Sequence, residues 1–114
     1  MTALDQLSVP TSNEFEATFG CDCSIDDDLV QTCVFQDNLE QEARITFGHV
    51  DCTFGVTIIK EGEEIFRIYD EFLHEVSIIE KIQTVNIILK HGSLFQTIDL
   101  VIWPQIKISI TSMK

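Results

Sequence analysis

Every other residue from Ile106 to Ile110 is isoleucine, separated by Lys107 and Ser109. The same two-residue beat recurs along the chain. Ala43, Ile45 and Phe47 alternate with Glu42, Arg44 and Thr46. A period of two places one set of side chains on a buried face and the other in water, which is the pattern of a half-buried strand. Residues 29–36 read the same way, with Leu29, Gln31, Cys33 and Phe35 on one side. Cys52, Phe54, Val56 and Ile58 continue an inward face. The pairs 84–90 and 94–103 flank His91-Gly-Ser93, a hairpin signal. Residues 60–63, with Gly62, suit a hairpin turn with a bulge. Asp37-Asn38 is a turn pair.

Residues 63–83 are ambiguous. Ile65, Ile68, Tyr69, Phe72, Val76, Ile79 and Ile82 fit one long helix, but they also divide into strands 65–69 and 76–82 around a turn. Ile and Val dominate, and β-branched side chains favour the two-strand reading. One helix is expected near the N-terminus. Thr11 stands three residues before Glu14, a capping-box spacing, and Gly20 follows Phe15 and Phe19 at i,i+4 spacing. Ser12–Phe19 is therefore predicted helical, residues 1–10 a flexible lead-in, and residues 21–28 a loop. The expected fold is all-β, or β-dominated α+β. It is an antiparallel sandwich or barrel-like sheet of about seven to eight strands, in one domain over 1–114.

Charge is distributed unevenly. The first 43 residues hold no Lys or Arg, while ten carboxylates precede Arg44. The remaining residues carry nine acids and seven bases, so most of the net charge of −12 lies in the first third. Phosphate binding draws on Lys and Arg, so nucleic acid is excluded as a partner, and an anionic membrane surface is disfavoured. Glu14 and Glu16 suit the first turn of the helix, where its dipole favours negative charge. Glu40 and Glu42 fall at or beside the wet face of a strand. Asp22, Asp26, Asp27 and Asp28 have no such rationale, and they are the candidate partner-binding residues. A basic protein is the partner that this charge would attract.

Four cysteines raise a metal site. Cys21, Cys23, His49 and Cys52 are the best candidate zinc tetrad, since zinc takes four sulfur or nitrogen ligands. Their spacing lacks the usual C-x2-C knuckle. Cys33 and Cys52 also fall at expected inward positions, where a thiol serves as a small apolar side chain. The Asp26–Asp28 run could offer calcium several oxygens, but the D-x-D-x-D-G register is absent. No secretory leader is read at the N-terminus, so a cytoplasmic location with reduced thiols is the expectation.

Catalytic signatures are lacking. The five glycines are scattered, no H-E-x-x-H or G-x-S-x-G occurs, and His49, His74 and His91 have no recognisable nucleophile beside them. No cofactor is implied. One further candidate is an oligomer interface at Val101 and Trp103, two apolar residues on the expected outer face of a strand. The best-supported function is a small, acidic, non-enzymatic binding or adaptor protein with a basic protein partner. Small acidic inhibitors of basic toxins share this profile. The alternatives are a metal-binding domain, a structural homo-oligomer and an enzyme of unrecognised type.

Overall fold

The structure is a computed structural model that describes residues 8–113. The fold is β-dominated, as the alternation predicts. Among the described residues, nine strands form two antiparallel sheets, each a meander in chain order. The first sheet contains β1 (Asp22–Ile25), β2 (Val30–Gln36), β3 (Gln41–Gly48), β4 (Thr53–Lys60) and β5 (Glu63–Asp70). The second contains β6 (Leu73–Ile79), β7 (Thr84–His91), β8 (Leu94–Val101) and β9 (Lys107–Met113).

Most inward positions are the ones the alternation selects, although Leu29, in the turn before β2, and Ile110 are exposed at 49% and 44%. Cys33 and Phe35 of β2, Ala43, Ile45 and Phe47 of β3, and Phe54, Val56 and Ile58 of β4 are buried. They join Val85, Ile87, Leu89, Ile98 and Leu100 of the second sheet in one continuous core. The ambiguous segment resolves as two strands, β5 and β6. A single 3-10 turn, Glu80–Ile82, follows them. The turn between β4 and β5 is tighter than expected. Glu61 and Gly62 both take positive φ (53° and 81°), and Lys60 pairs directly with Glu63. The bulge lies instead between Ile58 and Ile59.

Helix α1 (Ser12–Phe19) forms where its caps place it. The Thr11 hydroxyl accepts from the Glu14 N–H, the Glu14 carboxylate accepts from the Thr11 N–H, and Gly20 closes the helix in the left-handed region. Phe15 is completely buried, stacked 5.8 Å from Phe47 and edge-on to Phe35 at 6.1 Å. Burying one such ring contributes about 2–3 kcal/mol, enough to fix an eight-residue helix that would not hold alone.

Three expectations need correction. Residues 22–25 form a short strand, not loop, paired along β2 from Asp22↔Val34 to Ile25↔Gln31. Cys52 lies in the turn before β4 with φ 56°, half-buried, not at an inward strand position. The lead-in is anchored at its described end: the Val76 N–H donates to the Ser8 carbonyl, and Gln31 Nε2 donates to the Pro10 carbonyl. Residues 1–7 of that lead-in lie outside the described residues. Among the described residues no helix is long and apolar enough to cross a membrane.

One buried side chain makes a polar tie between the two sheets. Asp37, in the β2–β3 turn, is nearly buried. Its Oδ1 accepts from the Leu39 and Gln41 N–H groups, at 2.8 and 2.9 Å. Its Oδ2 accepts from Gln41 Nε2 and from the Ile106 N–H, at 2.9 and 2.8 Å. Ile106 belongs to the segment entering β9, so this carboxylate bridges the sandwich. Burial alone would raise its pKa, but the hydrogen bonds from Ile106, Gln41 and Leu39 outweigh burial and hold it below the usual carboxylate range.

Candidate functional site

The acidic loop is built by one of its own aspartates. Asp26 Oδ1 accepts the N–H groups of Asp28 (2.9 Å) and Val30 (3.0 Å). Its backbone N–H donates to the Val30 carbonyl, and its carbonyl accepts from the Leu29 N–H. Short polar side chains favour turns because they can satisfy backbone donors locally in this way. Leu29 is pushed into the left-handed region at φ 61° as the chain reverses into β2. Asp26 therefore has a structural role.

Asp27 and Asp28 are free of that work. They line an open cleft of about 510 Å³ with Leu29, Val30, Gly48, Val50 and Asp51. The cleft arises from strand register. Val30 pairs with Gly48, so the β1–β2 turn and the corner after β3 sit side by side. The His49 N–H donates to the Leu29 carbonyl and locks the two loops together. His49 Nε2 also meets Gln31 Oε1 at 2.8 Å, while the Gln31 amide nitrogen holds the Pro10 carbonyl. His49 thus serves as a strut behind the cleft.

Three carboxylates, Asp27, Asp28 and Asp51, share this cleft, and among the described residues none has an ion-pair partner. Two apolar side chains stand exposed beside them, Leu29 at 49% and Val50 at 68%. Negative charge beside exposed apolar surface suits the aliphatic stem and cationic head of a Lys or Arg from another protein. Asp51, Leu29 and Val50 were not singled out by sequence. The available signal was Asp51 in the corner that follows β3, but its neighbour across the cleft depends on the β2–β3 register.

Asp22 is separate. It lies on β1 opposite Val34, beside a smaller cavity lined by Phe19, Gly20, Cys21, Val34 and Gln36. Of the four aspartates selected from sequence, two share the cleft, one builds its loop and one lies elsewhere.

The zinc tetrad is not assembled. Cys23 is disulfide-bonded to Cys33, its cross-strand partner, which overturns the expectation that all the thiols are free. Cys21 contacts Cys23, His49 holds Gln31, and Cys52 accepts the Leu73 N–H through its carbonyl in a different turn. The Asp26–Asp28 run does not converge on a calcium cage either, because Asp26 is committed to backbone donors. Among the described residues no group of three or more His, Cys, Asp and Glu side chains is placed to hold a metal ion. His91 Nε2 lies 3.1 Å from Asp70 Oδ2, with Phe72 against its ring, and His74 lies edge-on to Phe95. Both histidines belong to the second sheet, His74 on β6 and His91 on β7, and neither lines the acidic cleft.

Val101 ends β8 and is half-buried between Thr84 and Lys107. Trp103 lies beyond the strand, half exposed, before a cis bond to Pro104. The strand alternation stops before Trp103, so the two residues do not form one strand face.

No family model matches the chain. It is 25% identical over 103 residues to an uncharacterized protein of Pasteurella multocida (strain Pm70), a match spanning 90% of this chain and 94% of that protein. Its fold matches a chain in a solved contact-dependent growth inhibition toxin–immunity protein complex from Klebsiella pneumoniae 342. That match has a TM-score of 0.81 at 18% identity, and it covers 93% of this chain and 96% of the other.

Proposed function

We propose that this chain is a non-enzymatic inhibitor of the immunity-protein kind, which binds and neutralises a basic protein toxin. The observation that carries the reading is the fold shared along 93% of its length with a chain in a toxin–immunity complex. A net charge of −12 suits the acidic side of such a pair. The cleft of Asp27, Asp28 and Asp51 is the surface on which the partner's basic side chains would dock. Opposite charge steers encounter and raises the association rate, and unpaired carboxylates beside exposed Leu29 and Val50 offer both a charge and an apolar contact.

The test is to search the genes flanking this chain's own for a toxin domain and to co-express the chain with it. A 1:1 complex that restores growth to toxin-producing cells is the expected result. A chain that neither co-purifies with that domain nor protects the cells would remove the proposal.

A further inference from the structure

Three of the four cysteines converge at the start of β1. Cys23 is bonded across the β1–β2 pair to Cys33, which is completely buried in the core. Cys21 is a free thiol whose Sγ lies 3.6 Å from Cys23 Sγ. Local structure sets this approach. Gly20 turns left-handed at the end of α1, and Glu16 Oε2 accepts the Cys23 N–H at 3.2 Å, which clamps β1 to the helix. Cys21 also lines the cavity of about 150 Å³ between Phe19, Asp22 and Val34, so it has a route to solvent.

We propose that Cys21, Cys23 and Cys33 form a thiol–disulfide exchange site, with Cys23 as the shared sulfur and glutathione-class thiols and disulfides as its reactants. In the reduced chain, the Cys23 thiolate attacks glutathione disulfide. A Cys23–glutathione bond forms and one glutathione thiolate leaves. Cys33 or Cys21, as thiolate, then attacks the Cys23 sulfur and expels the second glutathione thiolate. Two protein thiols are oxidised to one disulfide and one glutathione disulfide is reduced to two thiols. Once Cys23–Cys33 exists, the Cys21 thiolate can attack Cys23 and expel Cys33. The number of disulfides is unchanged, and one proton passes from Cys21 to Cys33. This exchange removes the covalent link between β1 and β2 and leaves their backbone pairing.

Burial governs the rate. Cys33 has no exposure, so the incoming disulfide meets Cys23 first. Burial, with smaller contributions from the Glu16 and Asp22 charges, pushes the Cys21 thiol up to about 11. Only the thiolate attacks, so at neutral pH roughly one Cys21 in ten thousand is competent. Pairing with Cys33 then prevails. The Cys21 route accelerates about tenfold per pH unit until Cys21 is ionised.

The test uses the full-length chain in a Cys52→Ser background, reduced and then mixed with glutathione disulfide at alkaline pH. Cys33→Ala is expected to pass through a glutathione adduct and lose it as Cys21–Cys23 closes. Cys21→Ala/Cys33→Ala should retain the adduct. Equal adduct lifetimes in the two variants would overturn the site. A measurement that leaves Cys33 in the core guards against misfolding of the variants. Without any substitution at Cys33, the oxidised chain is held at increasing pH, quenched in acid, and alkylated after unfolding. Free Cys33 with Cys21 and Cys23 linked should accumulate faster as pH rises. Free Cys21 with Cys23–Cys33 intact at every pH would refute the exchange.

Discussion

The two ends of the five-stranded sheet carry acidic turns, yet they use their carboxylates differently. At one end Asp37 is drawn inward, accepts four hydrogen bonds and joins the sheets through Ile106. Near it Glu42 is paired with Arg44 at 2.7 Å. At the other end only Asp26 is consumed by the fold, while Asp27, Asp28 and Asp51 line a cleft and have no ion-pair partner among the described residues. The contrast teaches that a carboxylate's work must be read from its donors, not from its position in an acidic run. Charge satisfied by backbone N–H groups stabilises the fold. Charge left without a partner is a cost in self-repulsion that a basic protein would relieve.

Mutations should separate the two ends. Asp37→Ala leaves buried N–H groups of Gln41 and Ile106 without acceptors. At about 1–3 kcal/mol for each group left unpaired, the expected loss is about 3–4 kcal/mol in urea unfolding. A loss below 1 kcal/mol would show that the bridge between the sheets is dispensable. Reduction of Cys23–Cys33, which closes a loop of sequence separation 10, is expected to cost about 2–3 kcal/mol. Denaturant midpoints with and without reductant measure it, and coincident midpoints would mean that the bond contributes nothing. Asp26→Ala should cost about 1–2 kcal/mol, the range for loss of a capping side chain. By contrast, Asp27→Asn/Asp28→Asn/Asp51→Asn should move stability by less than about 0.5 kcal/mol, as exposed substitutions do.

Asp37 also gives a pH response. The pKa of Asp37 is depressed on folding, so its contribution is present above the unfolded carboxylate pKa. It is lost as pH falls through the lower folded value. Wild type should therefore lose more stability than Asp37→Ala across that acid window. Parallel stability profiles for the two proteins would show that Asp37 is not the responsible group.

The sequence made the strands legible because alternation survives wherever one face is buried. The helix was legible because its caps are local, Thr11 with Glu14 at one end and Gly20 at the other. Strand β1 was hidden by its composition. Its four residues, Asp22–Ile25, carry little apolar pattern and lead straight into an aspartate run. The double use of Asp37 was hidden by distance, since Ile106 lies 69 residues away. The acidic cleft was half legible. Asp27 and Asp28 stood out, but Asp51 joins them only through the pairing of Val30 with Gly48. Cys52 was misread because the strand alternation was extended into a residue whose positive φ belongs to a turn.

The central claim is that the unpaired carboxylates of this cleft recruit a basic protein partner. The most direct measurement is the association rate constant with the toxin domain that co-expression identifies, across ionic strength, for wild type and for Asp27→Asn/Asp28→Asn/Asp51→Asn. Charge steering fades once the Debye length falls toward about 8 Å at physiological salt. The wild-type rate should fall steeply as salt rises, and the variant should associate more slowly with a flatter dependence. Equal rates and parallel salt slopes for the two proteins would contradict the account.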